Sequence, residues 1–121
     1  MSEYLIVFNH EWVPDLTEED FRGASTRVRA LRAEMTEAGV LVFTGGLDPD
    51  APVFSVDAGS GTPMFSDGPY VESKEHLGGF AVVDVADEEA ARLWAGKVAV
   101  ACGWPQEVHR FQTPTPRPGT G

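Results

Sequence analysis

Positive charge is scarce in this sequence. Its 121 residues include 9 Lys and Arg against 19 Asp and Glu, which gives a formal net charge of −10 at pH 7. Nucleic-acid affinity comes largely from counterions that clustered Lys and Arg release, and anionic membranes attract the same residues. The charge therefore excludes nucleic acid as the main ligand and disfavours a membrane surface. No segment approaches the roughly 18 apolar residues of a membrane-spanning helix.

Cysteine is almost absent, since Cys102 is the only one. A single cysteine forms no internal disulfide, and the first residues lack the basic stretch and cleavage site of a secretory signal. We therefore predict a reduced, cytoplasmic setting. Three His and one distant Cys also give no ligand spacing typical of a metal site. We predict neither a metal nor a cofactor.

Apolar residues are sufficient for one core, at 42% of the chain, and the length fits one domain. We place this domain at residues 1–112. Residues 113–121 read TPTPRPGTG and have no apolar side chains to bury, so we predict a flexible tail.

Extended segments are indicated by unbroken or alternating apolar runs of strand length. A run rich in Gly, Ser and Asp between two short apolar stretches predicts a hairpin. The predicted strands are residues 4–8, 40–44, 53–56, 64–65, 79–85 and 107–111.

Two helices are indicated by apolar residues spaced three and four apart. The first begins at Thr17, followed by acidic residues that favour a helix amino terminus, and ends at Gly39. The second begins at Asp87 and ends at Gly103. Both helices lie between predicted strands, so each belongs to a strand-helix-strand unit.

This order predicts an α+β fold of the ferredoxin-like, split βαβ type with a β-hairpin insert. Two helices cover only one face of the sheet, yet the strands at residues 4–8 and 79–85 are apolar at nearly every position. Leaving that second apolar face in water costs several kcal/mol, at about 25 cal/mol per Å². We therefore predict a homodimer that packs sheet against sheet.

The densest polar segment is residues 67–80, which read DGPYVESKEHLGGF. Pro69 fixes its own backbone and pushes Gly68 toward an extended conformation, so we expect a rigid corner after Asp67. If the next residues form a helical turn, Glu72 and His76 share one face, and a carboxylate beside an imidazole suits acid-base chemistry. A solvated turn is the alternative interpretation.

The same segment resembles the signature of the YCII-related family in its DGPF branch, through Asp67-Gly68-Pro69-Tyr70 and the Leu-Gly-Gly-Phe at its end. The resemblance implies a dimeric α/β barrel of ferredoxin-like subunits. Relatives in the wider family are similar to dehydrochlorinases, and related barrels include muconolactone isomerases. The DGPF branch is often encoded beside extracytoplasmic-function sigma factors.

One departure from the family concerns a histidine. YciI-like members carry a His in the first helix, paired with an acidic residue just after the first strand. The first predicted helix of this chain has no His, whereas His10 and Glu11 follow the first strand. His10 is therefore placed where the family has its acid.

The first functional hypothesis is a small-molecule enzyme of isomerase or lyase type that transfers a proton without a cofactor in a barrel cleft. Its catalytic candidates are His10 and Asp67, either of which is the base. The candidates for holding the substrate or orienting its partner groups are the polar residues that follow Asp67: Tyr70, Glu72, Lys74 and His76.

The second hypothesis is a non-catalytic binding or regulatory module, with a sigma factor as partner and the polar corner as a structural clasp. Charge distribution bears on both hypotheses. Residues 1–32 carry six acids and four arginines, a net of −2, and residues 33–121 carry the other −8. An anionic ligand would need one of the few cations, so we expect a neutral or weakly charged organic ligand.

Overall fold

The computed structural model describes residues 1–112 of the chain. The predicted tail at residues 113–121 lies outside them, so the domain boundary stays a prediction. Within residues 1–112 the elements are, in order, β1 (Ser2–Asn9), α1 (Glu18–Glu37), β2 (Leu41–Gly46), β3 (Phe54–Asp57), β4 (Met64–Asp67), β5 (Leu77–Val85), α2 (Glu88–Cys102) and β6 (Glu107–Arg110). A short 3-10 turn, His10–Trp12, follows β1.

The strands form two separate antiparallel sheets. The larger has four strands in the order β2-β5-β1-β6, and the smaller is the β3-β4 hairpin. The α+β class and the hairpin insert are therefore confirmed. The four-stranded sheet has edges at β2 and β6, and the described residues of the single chain close no barrel.

The core lies between the helices and one face of the larger sheet. Alternate residues of β1, among them Ile6, oppose alternate residues of β5, among them Val83, and both of these side chains are fully buried. Leu31 and Met35 of α1 and three alanines of α2 belong to the same buried cluster. Both helices therefore pack against the same face of the sheet.

Helix α1 begins where the sequence predicts. The Thr17 hydroxyl accepts a hydrogen bond from the Asp20 N–H, and the Asp20 carboxylate accepts one from the Thr17 N–H, which forms a capping box. Gly39 follows the helix with φ +73°, a conformation that glycine adopts at little cost.

Helix α2 begins and ends at its predicted residues as well. The Asp87 carboxylate accepts a hydrogen bond from the Ala90 N–H, and Gly103 closes the helix in the left-handed conformation. Within the described residues, neither helix combines the length and apolarity needed to cross a bilayer.

The β3-β4 hairpin is exposed, although it carries large apolar side chains. Phe54 and Phe65 are 69% and 68% exposed, and their rings lie 6.3 Å apart on the hairpin. A two-stranded hairpin is marginally stable when nothing packs on it. These side chains are therefore an apolar surface that residues 1–112 of the same chain leave uncovered.

Candidate functional site

The backbone conformation of the polar corner after β4 differs from the predicted one. Gly68 has φ +87°, in the left-handed region, rather than the expected extended backbone. Its N–H donates to the Val53 carbonyl at 2.7 Å and its carbonyl accepts from the Ser55 hydroxyl. These bonds hold the corner against the hairpin, and glycine's lack of a Cβ permits the turn.

The predicted catalytic residue Asp67 ends β4 in solvent. Its carboxylate has no hydrogen-bond or ion-pair partner in the described part of the chain. Tyr70, 73% exposed, donates its hydroxyl to the Asp57 carboxylate of the hairpin at 3.4 Å. Asp67 and Tyr70 therefore lie on an open surface that belongs to the hairpin.

Glu72, Lys74 and His76 do not form the predicted helical turn. No helix is present between Gly68 and Leu77 in the described chain, and all three side chains are exposed. The predicted pairing of Glu72 with His76 is therefore absent, because the spacing of four places two residues on one face only within a helix. Glu72 and Lys74 make no hydrogen bond or ion pair within residues 1–112.

His76 instead pairs with Glu11, which is 65 residues away in sequence. The imidazole Nδ1 lies 2.9 Å from Glu11 Oε2, and the His76 backbone N–H donates to Glu11 Oε1 at 2.6 Å. The two carboxylate oxygens thus bind one residue at two points. This arrangement fixes both the position of His76 and the orientation of its ring.

His10 contributes to the same cluster through its backbone. Its N–H donates to the His76 carbonyl at 2.8 Å, which ties the turn after β1 to the segment before β5. Its half-buried imidazole has no hydrogen-bond partner among the described residues. Of the six predicted site residues, the structure brings together only His10 and His76.

The contact lowers the pKa of the Glu11 carboxyl. The causes are, first, the hydrogen bond from the His76 side chain and, second, the one from its backbone. Hydrogen bonds to a carboxylate favour its charged form. Glu11 is therefore ionised at neutral pH and acts only as an acceptor toward His76.

A cavity of about 350 Å³ lies between α1 and the sheet. Its wall includes Phe8 of β1, Gly45 and Gly46 of β2, and residues of both helices. Phe8 packs edge-on against Trp104, with ring centroids 5.3 Å apart. Phe8 is two residues before His10, so this part of the wall is near the His76–Glu11 pair, although neither His76 nor Glu11 lines the cavity.

Comparison with protein-family models matches the YCII-related domain over residues 14–101. The chain belongs to the YCII-related family. The resemblance seen in residues 67–80 is confirmed at the level of this family, and its DGPF branch stays a prediction. Comparison with curated proteins gives no significant match.

The sequence alone did not lead us to predict Glu11 as the partner of a histidine. The available signal was the family pattern of an acidic residue just after the first strand, a description that Glu11 fits. Its histidine, however, comes from the segment before β5 rather than from α1. Residues 1–112 contain no group of three or more His, Cys, Asp or Glu side chains arranged to hold a metal ion.

Proposed function

We propose that this YCII-related protein is an enzyme that moves a proton on a small organic molecule without a cofactor, in an isomerisation, elimination or lyase step. The observation that carries the proposal is the two-point contact between Glu11 and His76. His76 is the acid-base group and Glu11 is its positioning residue. His10 holds the backbone of His76 in place.

The contact defines which ring nitrogen exchanges the proton. An ionised carboxylate only accepts hydrogen bonds, so Nδ1 carries the proton in the bond to Glu11. In the neutral ring, Nε2 then has the free lone pair and is the general base. The carboxylate also stabilises the imidazolium that forms when Nε2 takes a proton.

The exposed pair lies outside the cavity wall, and the proposal places a ligand that extends from the cavity toward His76. The Leu47 N–H donates to the Gly78 carbonyl at 2.8 Å, which joins the end of β2 to the start of β5 beside His76. Concave sites with a few convergent polar groups are the usual place for a small ligand. The cavity thus supplies a concave, mainly apolar site, whereas Asp67 lies exposed at the end of β4.

Deuterium exchange tests the proton transfer without knowledge of the natural substrate. The protein is incubated in D₂O with a set of small carbon acids that includes ketones, unsaturated lactones and β-keto acids, and NMR follows deuterium incorporation. We expect catalysed exchange of at least one compound. His76→Gln should slow it by about 100-fold, within the range of general acid-base catalysis.

Glu72→Gln is the matched control, because it removes an exposed carboxylate of the same segment that contacts no histidine in the described chain. It should leave the rate unchanged, whereas Glu11→Gln should reduce it. A failure of every compound to exchange would contradict the proposal. Equal rates in the wild type and in His76→Gln would contradict it too.

We also propose that two chains form a dimeric α/β barrel from ferredoxin-like subunits. The strand order β2-β5-β1-β6 with both helices on one face supports the subunit fold. On the other face, Val82 lies opposite Leu5 and Phe43, and Phe43 is 57% exposed with its ring 5.8 Å from that of Phe80. A second copy of the sheet would remove this apolar face from water.

Light scattering at micromolar concentration tests the dimer. Phe43→Glu should shift the protein toward the monomer, because a charge in an apolar interface is costly to desolvate. Val100→Glu is the control, since Val100 is 77% exposed on α2, which packs on the opposite face of the sheet. A monomeric wild type would contradict the proposal.

A binding or regulatory module is the second candidate function, and the exposed apolar hairpin favours it. Phe54, Val56 and Phe65 together form the kind of uncovered apolar surface that marks an interaction site. The acidic chain suits a basic partner, such as a sigma factor encoded nearby. Calorimetry with that sigma factor should show binding that Phe65→Ser weakens, and an absence of binding would remove this candidate.

A further inference from the structure

The cavity between α1 and the sheet differs in charge from the rest of the protein. The chain carries −10, yet none of the 17 described residues lining the cavity is an Asp or Glu. The charged residues among them are Arg29 and Arg32. The two charged side chains that line the cavity, both exposed, are therefore positive.

These two arginines have no acidic partner in the described chain. Neither guanidinium makes an ion pair or a hydrogen bond within residues 1–112. Arg27 of the same helix, by contrast, donates from Nε to the Ala101 carbonyl at 3.0 Å. Arg29 and Arg32 are three residues apart, so they lie on neighbouring positions of one helix face.

The remainder of the wall is mainly apolar and uncharged. It includes Ile6, Leu31 and Met35 from the buried core. Cys102 also lines the cavity, and burial raises the pKa of its thiol, so it adds no negative charge at neutral pH. A ligand that fills this space must bury an apolar body.

Two donors of the wall lack acceptors. Trp104 Nε1 and Gln106 Nε2 are buried and have no hydrogen-bond partner in the described residues, and both residues are among those that line the cavity. A buried donor without an acceptor is destabilising. A ligand oxygen that reached either nitrogen would remove that penalty.

We infer that the cavity binds a small apolar carboxylic acid as its anion, with a single ring or a short acyl chain among the core residues and the carboxylate at Arg29 and Arg32. The distribution of charge along the sequence favoured a neutral ligand, because it does not reveal which charges face the cavity. The inference rests on the proposal that the cavity holds the substrate of His76. It names the class of that substrate.

Calorimetric titration with three acids and their amides tests this ligand class. The probes are benzoate, cinnamate and octanoate, each compared with the neutral amide of the same shape. We expect at least one carboxylate to bind, and its amide to bind at least about tenfold more weakly, because charge-assisted Arg–carboxylate bonds are the stronger ones. Added salt should weaken the carboxylate alone.

Two variants and a control assign the binding to the cavity. Arg29→Gln and Arg32→Gln should each weaken carboxylate binding by about tenfold or more. Arg22→Gln on the same helix should leave it unchanged, because Arg22 does not line the cavity. In NMR spectra the indole N–H signal of Trp104, assigned with Trp104→Phe, should shift on titration.

The inferred ligand class is contradicted if no carboxylate binds, if the amides bind equally well, or if the two arginine variants bind like the wild type. The binding test requires no turnover, so it is separate from the exchange experiment. Binding without deuterium exchange would support the ligand class and contradict proton transfer by His76. Exchange with no carboxylate binding would contradict the ligand class alone.

Discussion

The polar corner at residues 67–75 and the cavity between α1 and the sheet differ in how well the sequence predicts a functional site. The corner is dense in charged residues and carries the recognisable motif, yet its side chains are exposed and make few contacts. The cavity is lined mainly by apolar residues and has a volume of about 350 Å³, and the exposed Glu11–His76 pair lies outside its wall. None of the residues of the corner therefore lines the cavity in which we propose that the ligand binds.

The largest expected difference between the two regions is in stability. Ile6→Ala should lower the free energy of unfolding by about 2–5 kcal/mol, because Ile6 is fully buried beside the cavity. Phe54→Ala on the exposed hairpin should change it by less than about 0.5 kcal/mol. Urea unfolding at one protein concentration measures both. An equal loss from Phe54→Ala would mean that the hairpin is covered in solution.

A glycine pair tests how tightly the cavity end is packed. A Cβ added at Gly78 would lie 2.5 Å from Cε2 of Phe8 and 3.2 Å from the His10 nitrogen. Gly78→Ala should therefore destabilise the protein by about 1–3 kcal/mol, the usual range for an overpacked site. Gly46→Ala is the control, since nothing lies within 4 Å of its added Cβ. If the two variants unfold alike, Phe8 has room that the structure does not indicate.

Much of the fold follows from local sequence signals. Thr17 and Asp20 form a capping box, and Gly39 and Gly103 end helices, because these effects depend on residues within one turn. The cavity could not be predicted in this way, since its wall comes from both helices and three strands. The partner of His76 is 65 residues distant, so no spacing rule identifies Glu11.

The alkylation rate of a thiol should differ between the cavity and the polar corner. Cys102 is 8% exposed and burial raises the pKa of its thiol, so iodoacetamide should alkylate it at least about tenfold more slowly in the native protein than in concentrated urea. The control has Ser73→Cys in a Cys102→Ser background, which places the thiol in the exposed corner. This introduced thiol should be alkylated at similar rates in the native protein and in concentrated urea. Fast native alkylation of Cys102 would show that the cavity end opens readily.

A smaller effect is expected at the Glu11 carboxyl. His76→Gln should raise the pKa of Glu11 toward its ordinary value of 4.5, because it removes the largest cause of the lowering, the side-chain hydrogen bond from the imidazole. Glu72→Gln should leave the pKa of Glu11 unchanged. Carbon NMR titration of the carboxyl signal measures it. An unchanged value in His76→Gln would mean that the contact is not maintained in solution.

The smallest effect is a dependence of stability on pH. The folded-state pKa of Glu11 is below its unfolded value of 4.5, so the contact stabilises the fold above that pH. This contribution is lost as the pH falls through the folded-state pKa. Glu11→Gln should flatten the acid limb of a plot of unfolding free energy against pH. An acid limb identical to that of the wild type would contradict a stabilising role for the contact.

A crystal structure of the protein with bound cinnamate, or with whichever probe acid binds most tightly, compares the two regions most directly. We expect the apolar part of the ligand between α1 and the sheet, with its carboxylate beside Arg29 and Arg32. A ligand bound instead at Asp67 and Tyr70, with the cavity empty, would contradict the assignment of the functional site.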